Sequence, residues 1–125
     1  MRPQKKREYQ AEYGTIHLTG DFDTYIENPD TVAYVTVLDK VITIFFKNSV
    51  YWEKNMSLIA FEIQCDPTKF FRPRNNWCVN MNYVETFRYQ GRRLKILLKN
   101  GEWWDVAVLR KGDFIKLYRS CNPGT

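Results

Sequence analysis

From Gly14 onward the apolar residues fall mostly in short β-branched and aromatic runs separated by turn residues, the pattern of strands in a sheet. Thr31 to Leu38 (TVAYVTVL) is one such run, and Asp39-Lys40 reads as a tight turn into a second, Val41 to Phe46. Asn48-Ser49 marks another turn before Val50-Tyr51-Trp52. The period changes once. Ser57, then Leu58, Phe61 and Cys65, places apolar positions on one face of a short helix of two to three turns, with Ser57 as its N-cap. Asp66-Pro67 ends it, because the residue before proline is pushed out of helical geometry. Strands resume at Val84 to Tyr89, with a turn at Gln90-Gly91, and at Leu94 to Lys99. Asn100-Gly101 predicts a type I′ hairpin turn, which needs positive φ at both central residues, and Trp103 to Leu109 is the return strand. Arg110-Lys111-Gly112 breaks that strand, and Phe114 to Tyr118 closes the fold as a half-turn of helix or a short strand. The expectation is a mainly β domain of antiparallel sheets with one short helix.

The chain has 125 residues, 44% of them apolar and 16% aromatic, enough for one domain with a proper core. Residues 1–13, basic and without periodicity, predict a flexible tail, and 14–120 the folded domain. No apolar run approaches the roughly 18 residues needed to cross a bilayer, and Met1 is followed by a polar, basic stretch. A cytoplasmic location follows. Cys65, Cys78 and Cys121 have neither the number nor the spacing of a disulfide framework or zinc site, so they read as buried or incidental thiols.

Charge is divided along the sequence. Residues 2–7 hold four cations and no acid; residues 8–71 hold four lysines against ten carboxylates; residues 72–120 hold eleven cations against four acids. A basic C-terminal half attracts a polyanion. Catalysis lacks its parts. His17, in a predicted strand, is the sole histidine, and there is no Gly-rich phosphate loop or nucleophile motif. Asp21, Asp23, Glu27 and Asp30 lack the spacing of a calcium loop and read as a solvated loop. No cofactor, metal or enzymatic activity is expected.

Nucleic-acid chemistry does have its parts. In FFRPRNNWCVN, residues 70–80, two core-like flanks enclose Arg72-Pro73-Arg74-Asn75-Asn76. Arginine donates in pairs to guanine edges and asparagine to adenine edges, and Pro73 stiffens the backbone that presents them. The alternative at this point is a polar surface loop whose amides bond their own backbone.

The register of these pieces resembles the LytTR DNA-binding domain, an effector module of bacterial response regulators. The resemblance is carried by Val32 to Ile44, Met56-Ser57-Leu58, Asp66 to Arg72, Val79-Asn80, Leu94 to Gly101 and a late strand ending at Arg110, and it covers about residues 14–118. It implies an elongated fold whose loops enter successive major grooves of duplex DNA at paired promoter sites arranged as direct repeats, so that two copies bind side by side. It implies base contacts from Arg74, Asn75 and Arg110, with the Asp39-Lys40 turn and Lys111 beside them and Lys40 and Lys111 on phosphates; Asn76 and Arg72 of the insert are further candidate DNA contacts. Many members carry Val-Ser-Arg where this chain has Val108-Leu109-Arg110, and an alternative register puts Val108 at the arginine position. The family domain is commonly fused to a phosphoacceptor receiver or a membrane sensor, neither of which this sequence resembles. Two other readings remain: a single-strand binder that stacks bases on Tyr89, Trp103 or Trp104 beside Arg92-Arg93, and a protein-interaction domain that has kept the fold.

Overall fold

The computed structural model describes residues 13–19 and 24–124. The expected tail therefore lies outside the described residues except for Tyr13, as do Asp21 and Asp23 of the acidic cluster. A short pair, β1 (Ile16–His17) and β2 (Tyr25–Ile26), precedes a one-turn 3₁₀ segment at Pro29–Thr31. Then come β3 (Val32–Leu38), β4 (Val41–Phe46), β5 (Tyr51–Lys54), helix α1 (Leu58–Glu62), β6 (Phe70–Arg74) and β7 (Trp77–Asn80). After a second 3₁₀ turn at Met81–Tyr83, β8 (Val84–Gln90), β9 (Arg93–Leu98) and β10 (Trp103–Val106) form a meander, and helix α2 (Lys111–Cys121) closes the chain. All pairings are antiparallel: one sheet runs β5-β4-β3-β7-β6 and another β10-β9-β8.

The central strands of the larger sheet are buried on both faces, which explains why β3 and β7 read as nearly continuous apolar runs. Val32, Val35 and Cys78 point into a core with Ile42, Ile44, Phe61 and Ile16 beneath α1 and the β1–β2 pair. Tyr34, Trp77 and Val79 point the other way, into a second core shared with Leu94, Ile96, Leu98 and Phe114. The larger sheet is thus the middle layer, with α1 on one side and the three-stranded sheet with α2 on the other. Cys65 and Cys78 serve as packing groups in the first core; burial pushes the Cys65 thiol up to about 12 and that of Cys78 upward as well.

The mainly β antiparallel class read from the sequence holds, and so does the Ser57 cap, whose hydroxyl accepts from Ala60 N–H at 3.0 Å. Local details differ. Helix α1 has five residues and unwinds through i→i+3 bonds at Gln64 and Cys65 before Asp66-Pro67 is reached. Asn100 does not take positive φ. Gly101 does, at 93°, and donates to Leu98 O at 2.9 Å, so the loop is a type I turn followed by a glycine bulge. Strand β10 stops at Val106, and Val108–Arg110 is a 3₁₀ turn, not strand. The closing segment is a helix of eleven residues because Phe114, Leu117 and Tyr118 share one face; Phe114 is fully buried and meets the Phe87 ring edge-on at 5.5 Å.

One polar hub holds the acidic end. Asn80, the one buried polar side chain among the described residues, donates to Val32 O at 2.9 Å and to Asp30 Oδ1 at 3.1 Å, and accepts from Asn82 N–H. Asp30 also accepts from the Asn82 amide at 2.6 Å and lies 3.3 Å from Lys47 Nζ. Partial burial raises the Asp30 pKa, but the bonds from Asn80 and Asn82 and the Lys47 charge outweigh it, leaving the carboxyl below its ordinary range. Asp30 is therefore tied by hydrogen bonds while its side chain stays exposed to solvent, as the sequence reading expected.

Phe114→Ala should cost about 3–5 kcal/mol in urea unfolding, the usual value for deleting a buried phenyl ring; a loss below about 1 kcal/mol would show that α2 is not part of the cooperative core. Asp30 carries a depressed pKa, so its contribution is present above the unfolded carboxylate value of about 3.9 and disappears as pH falls through the lower folded value. Acid unfolding curves of wild type and Asp30→Asn should therefore converge at low pH, and parallel curves would contradict this role.

Candidate nucleic-acid interface

Three tight connections and one 3₁₀ turn present the candidate residues. Asp39 and Lys40 form the two-residue turn between β3 and β4, with φ of 49° and 67°, matching the twist that such hairpins need. Lys40 is exposed at its tip. Strand β6 runs through Arg74, so the polar insert is shorter than its sequence suggests and the turn itself is Asn75-Asn76. The β6–β7 register shifts between Phe71 and Arg74, where Pro73 has no N–H to give the ladder. Pro73 is buried, and the stretch is anchored from outside: Ala107 N–H donates to Pro73 O at 3.0 Å, and Val37 N–H to Asn76 O at 3.0 Å. The side chains of Arg74, Asn75 and Asn76 project into solvent, with no hydrogen-bonding or ion-pairing partner among the described residues. Asn75 does offer its carbonyl to Arg72 Nη1, at 3.5 Å.

The other expected cations are placed differently. Arg72 is half-buried with Nε 3.1 Å from Glu62 Oε1, an ion contact that is not aligned as a hydrogen bond. Arg110 is half-buried, and its Nη1 donates to Arg72 O at 2.8 Å. Lys111 begins α2; its ammonium donates to the Arg92 carbonyl and sits 5.8 Å from the Tyr89 ring centroid. Arg72 and Arg110 are thus partly spent on their own backbone and neighbours, whereas the side chains of Arg74 and the two asparagines make no hydrogen bond among the described residues, although the Arg74 charge helps to lower the Asp105 pKa.

These groups converge. A cleft of about 350 Å³ is lined by Arg74, Asn75, Asn76, Ala107 and Arg110. Arg74 and Ala107 also line a second cleft of about 590 Å³, together with Arg92, Arg93 and Lys111. Asn75 borders a third, of about 740 Å³, with Lys40 and Arg72. The seven expected residues therefore line three adjoining clefts, joined at Asn75 on the α1 side and at Arg74 and Ala107 on the side of the three-stranded sheet. Arg92 and Arg93 line the second of them too, although the sequence placed them beside Tyr89 as a feature of the single-strand reading; their signal was the pair of arginines directly after the Gly91 turn, where φ is 65°. Asp105 tempers the charge: it takes a 2.6 Å bond from Arg93 Nη2 and lies 3.7 Å from Lys95, and the Arg93 bond outweighs burial to hold its carboxyl below the ordinary range.

The aromatic candidates are largely occupied. Trp104 packs on Trp77 at 4.6 Å and donates its indole N–H to Glu102 at 2.9 Å, and Arg88 lies over the Trp103 ring at 4.5 Å. No group of three or more His, Cys, Asp or Glu able to hold a metal occurs among the described residues, and none of their helices is long and apolar enough to cross a membrane.

Comparison with known proteins bears on what this surface meets. No curated protein matches the chain. Its structure is similar to the LytTr DNA-binding domain of a Bacillus cereus protein described as a methyl-accepting/DNA response regulator, with a TM-score of 0.66 over 82% of this chain and 93% of that one, at 23% identity. That likeness is one of fold. The model of the LytTr DNA-binding domain family matches residues 23–117, which include every strand of both large sheets and the whole cationic run, and the chain belongs to that family.

Proposed function

We propose that this domain binds double-stranded DNA sequence-specifically for a transcriptional regulator, reading the major groove with side chains from its loops. The observation that carries this reading is the adjoining clefts joined at Arg74 and Asn75: exposed guanidinium and carboxamide donors sit at the centre, with cations on both sides. Arg74, Asn75 and Asn76 read base edges, for which arginine and asparagine are the matched bidentate donors. Lys40, Arg92 and Lys111 contact phosphates, whose neutralisation supplies sequence-independent affinity by counterion release. Arg72 and Arg110 hold the reading loop in place and offer their remaining N–H groups to the DNA. The domain acts without catalysis, in the cytoplasm, on paired promoter sites arranged as direct repeats, where two copies lie side by side under the control of a receiver or sensor.

Single-strand binding is the second reading, and the Arg88 guanidinium over Trp103 weighs against it, because one face of that ring is already taken. Selection from random duplex DNA, followed by competition with the same sequences as single strands, tests the choice. Retention of one duplex motif that single strands do not displace is expected; tighter binding to mixed-sequence single strands would favour the second reading, and no retention even at low salt would favour a protein-interaction role.

On the selected duplex, Arg74→Ala should cost about 1–3 kcal/mol and relax preference at one base pair; unchanged affinity would refute the loop assignment. Lys111→Ala should weaken all duplexes alike and reduce the slope of log affinity against log salt by about one. A sequence-dependent loss would instead make Lys111 a base-reading residue.

A further inference from the structure

The turn between β10 and α2 carries two exposed apolar side chains among the cations. Val108 is 74% and Leu109 92% exposed, the latter the most exposed large hydrophobic residue described. The turn is nonetheless held at both ends: Ala107 N–H is bonded to Pro73 O at 3.0 Å, and Arg110 Nη1 to Arg72 O at 2.8 Å. Arg110, the expected reader of this loop, is drawn back toward β6, and Leu109 is what reaches out. Val108 lines the same cleft as Arg74, Arg92 and Lys111. A projecting isobutyl group does nothing for the core of the free protein, and the cleft that neighbouring Val108 lines, with Arg74, Arg92, Arg93 and Lys111, attracts a polyanion.

Resting on the duplex-binding reading, we infer that Leu109 is a specificity-determining residue that packs on the 5-methyl group of a thymine, beside the base pair read by Arg74. The thymine methyl is the one apolar feature that B-form DNA offers in its major groove, and Arg110 next to Leu109 in the turn, with Arg74 in the cleft that Val108 lines, serves the polar edges of that same groove. Fixing both ends of the turn lowers the entropy lost when the side chain docks. Apolar packing of this kind adds discrimination without adding charge, so it leaves the salt dependence unaltered.

The probe is the duplex selected above, in which each thymine is replaced singly by deoxyuridine, which lacks only the methyl group. Wild type should lose about three- to fivefold in affinity at one position, the value of one buried methyl. Leu109→Ala should bind the unmodified duplex several-fold more weakly, become indifferent to that replacement, and keep the wild-type salt slope. Its side chain is exposed, so its unfolding midpoint should match that of wild type. A wild-type protein indifferent to every replacement, a Leu109→Ala variant as sensitive as wild type, or a variant altered in self-association alone would each overturn the inference. The two readings separate cleanly: a motif that needs Arg74 but no methyl group removes the role of Leu109 and leaves duplex reading intact, whereas failure to select any duplex removes both.

Discussion

The connection between the β10–α2 turn and strand β6 organises the rest of the surface. Two hydrogen bonds make it, Ala107 N–H to Pro73 O and Arg110 Nη1 to Arg72 O, and both end on a segment where the β6–β7 ladder is interrupted. Strand β6 is the edge of the larger sheet, so the outward side of its backbone has no strand neighbour. The β10–α2 turn supplies donors to two of its carbonyls, and the bonds bring the polar tip of one sheet beside the basic edge of the other. Buried backbone carbonyls must find partners, and here an outside turn provides them.

That connection rests on a three-layer body. Because β3 and β7 are covered on both faces, the middle sheet cannot slide by one residue without exchanging the Trp77 and Val79 side for the Cys78 side. The register thereby fixes where Arg74 emerges, at the end of the strand whose partner position is Trp77. Function at the rim depends on packing at the centre.

Much of this fold was legible. β-branched runs marked β3 and β4, an apolar run before Asn-Gly marked β9, and Ser57 marked its helix, because each signal is local. The failures share a cause. Phe114 to Tyr118 is too short for periodicity to separate helix from strand, and Arg110-Lys111-Gly112, read as the end of the return strand, also begins the helix that follows. Asn100-Gly101 promised one turn type, yet hairpins with glycine admit a bulged loop too, and the choice belongs to the strand register. The candidate interface was legible as residue types. Which groups are free was not: the partner of Arg110 lies 38 positions away in sequence, and no local rule pairs an arginine side chain with a distant carbonyl. Leu109 drew notice only as a departure from a motif, because exposure is a property of the folded surface.

On the reading proposed above, the surface that runs from Lys40 through Arg74 to Lys111 meets duplex DNA. Amide chemical-shift changes during titration with the selected duplex test it most directly. Changes should concentrate at residues 38–41, 72–77, 91–93 and 106–112, with little change along the exposed edge strand Tyr51–Lys54. Changes centred on that edge or on helix α1, with the Arg74 turn unaffected, would contradict it.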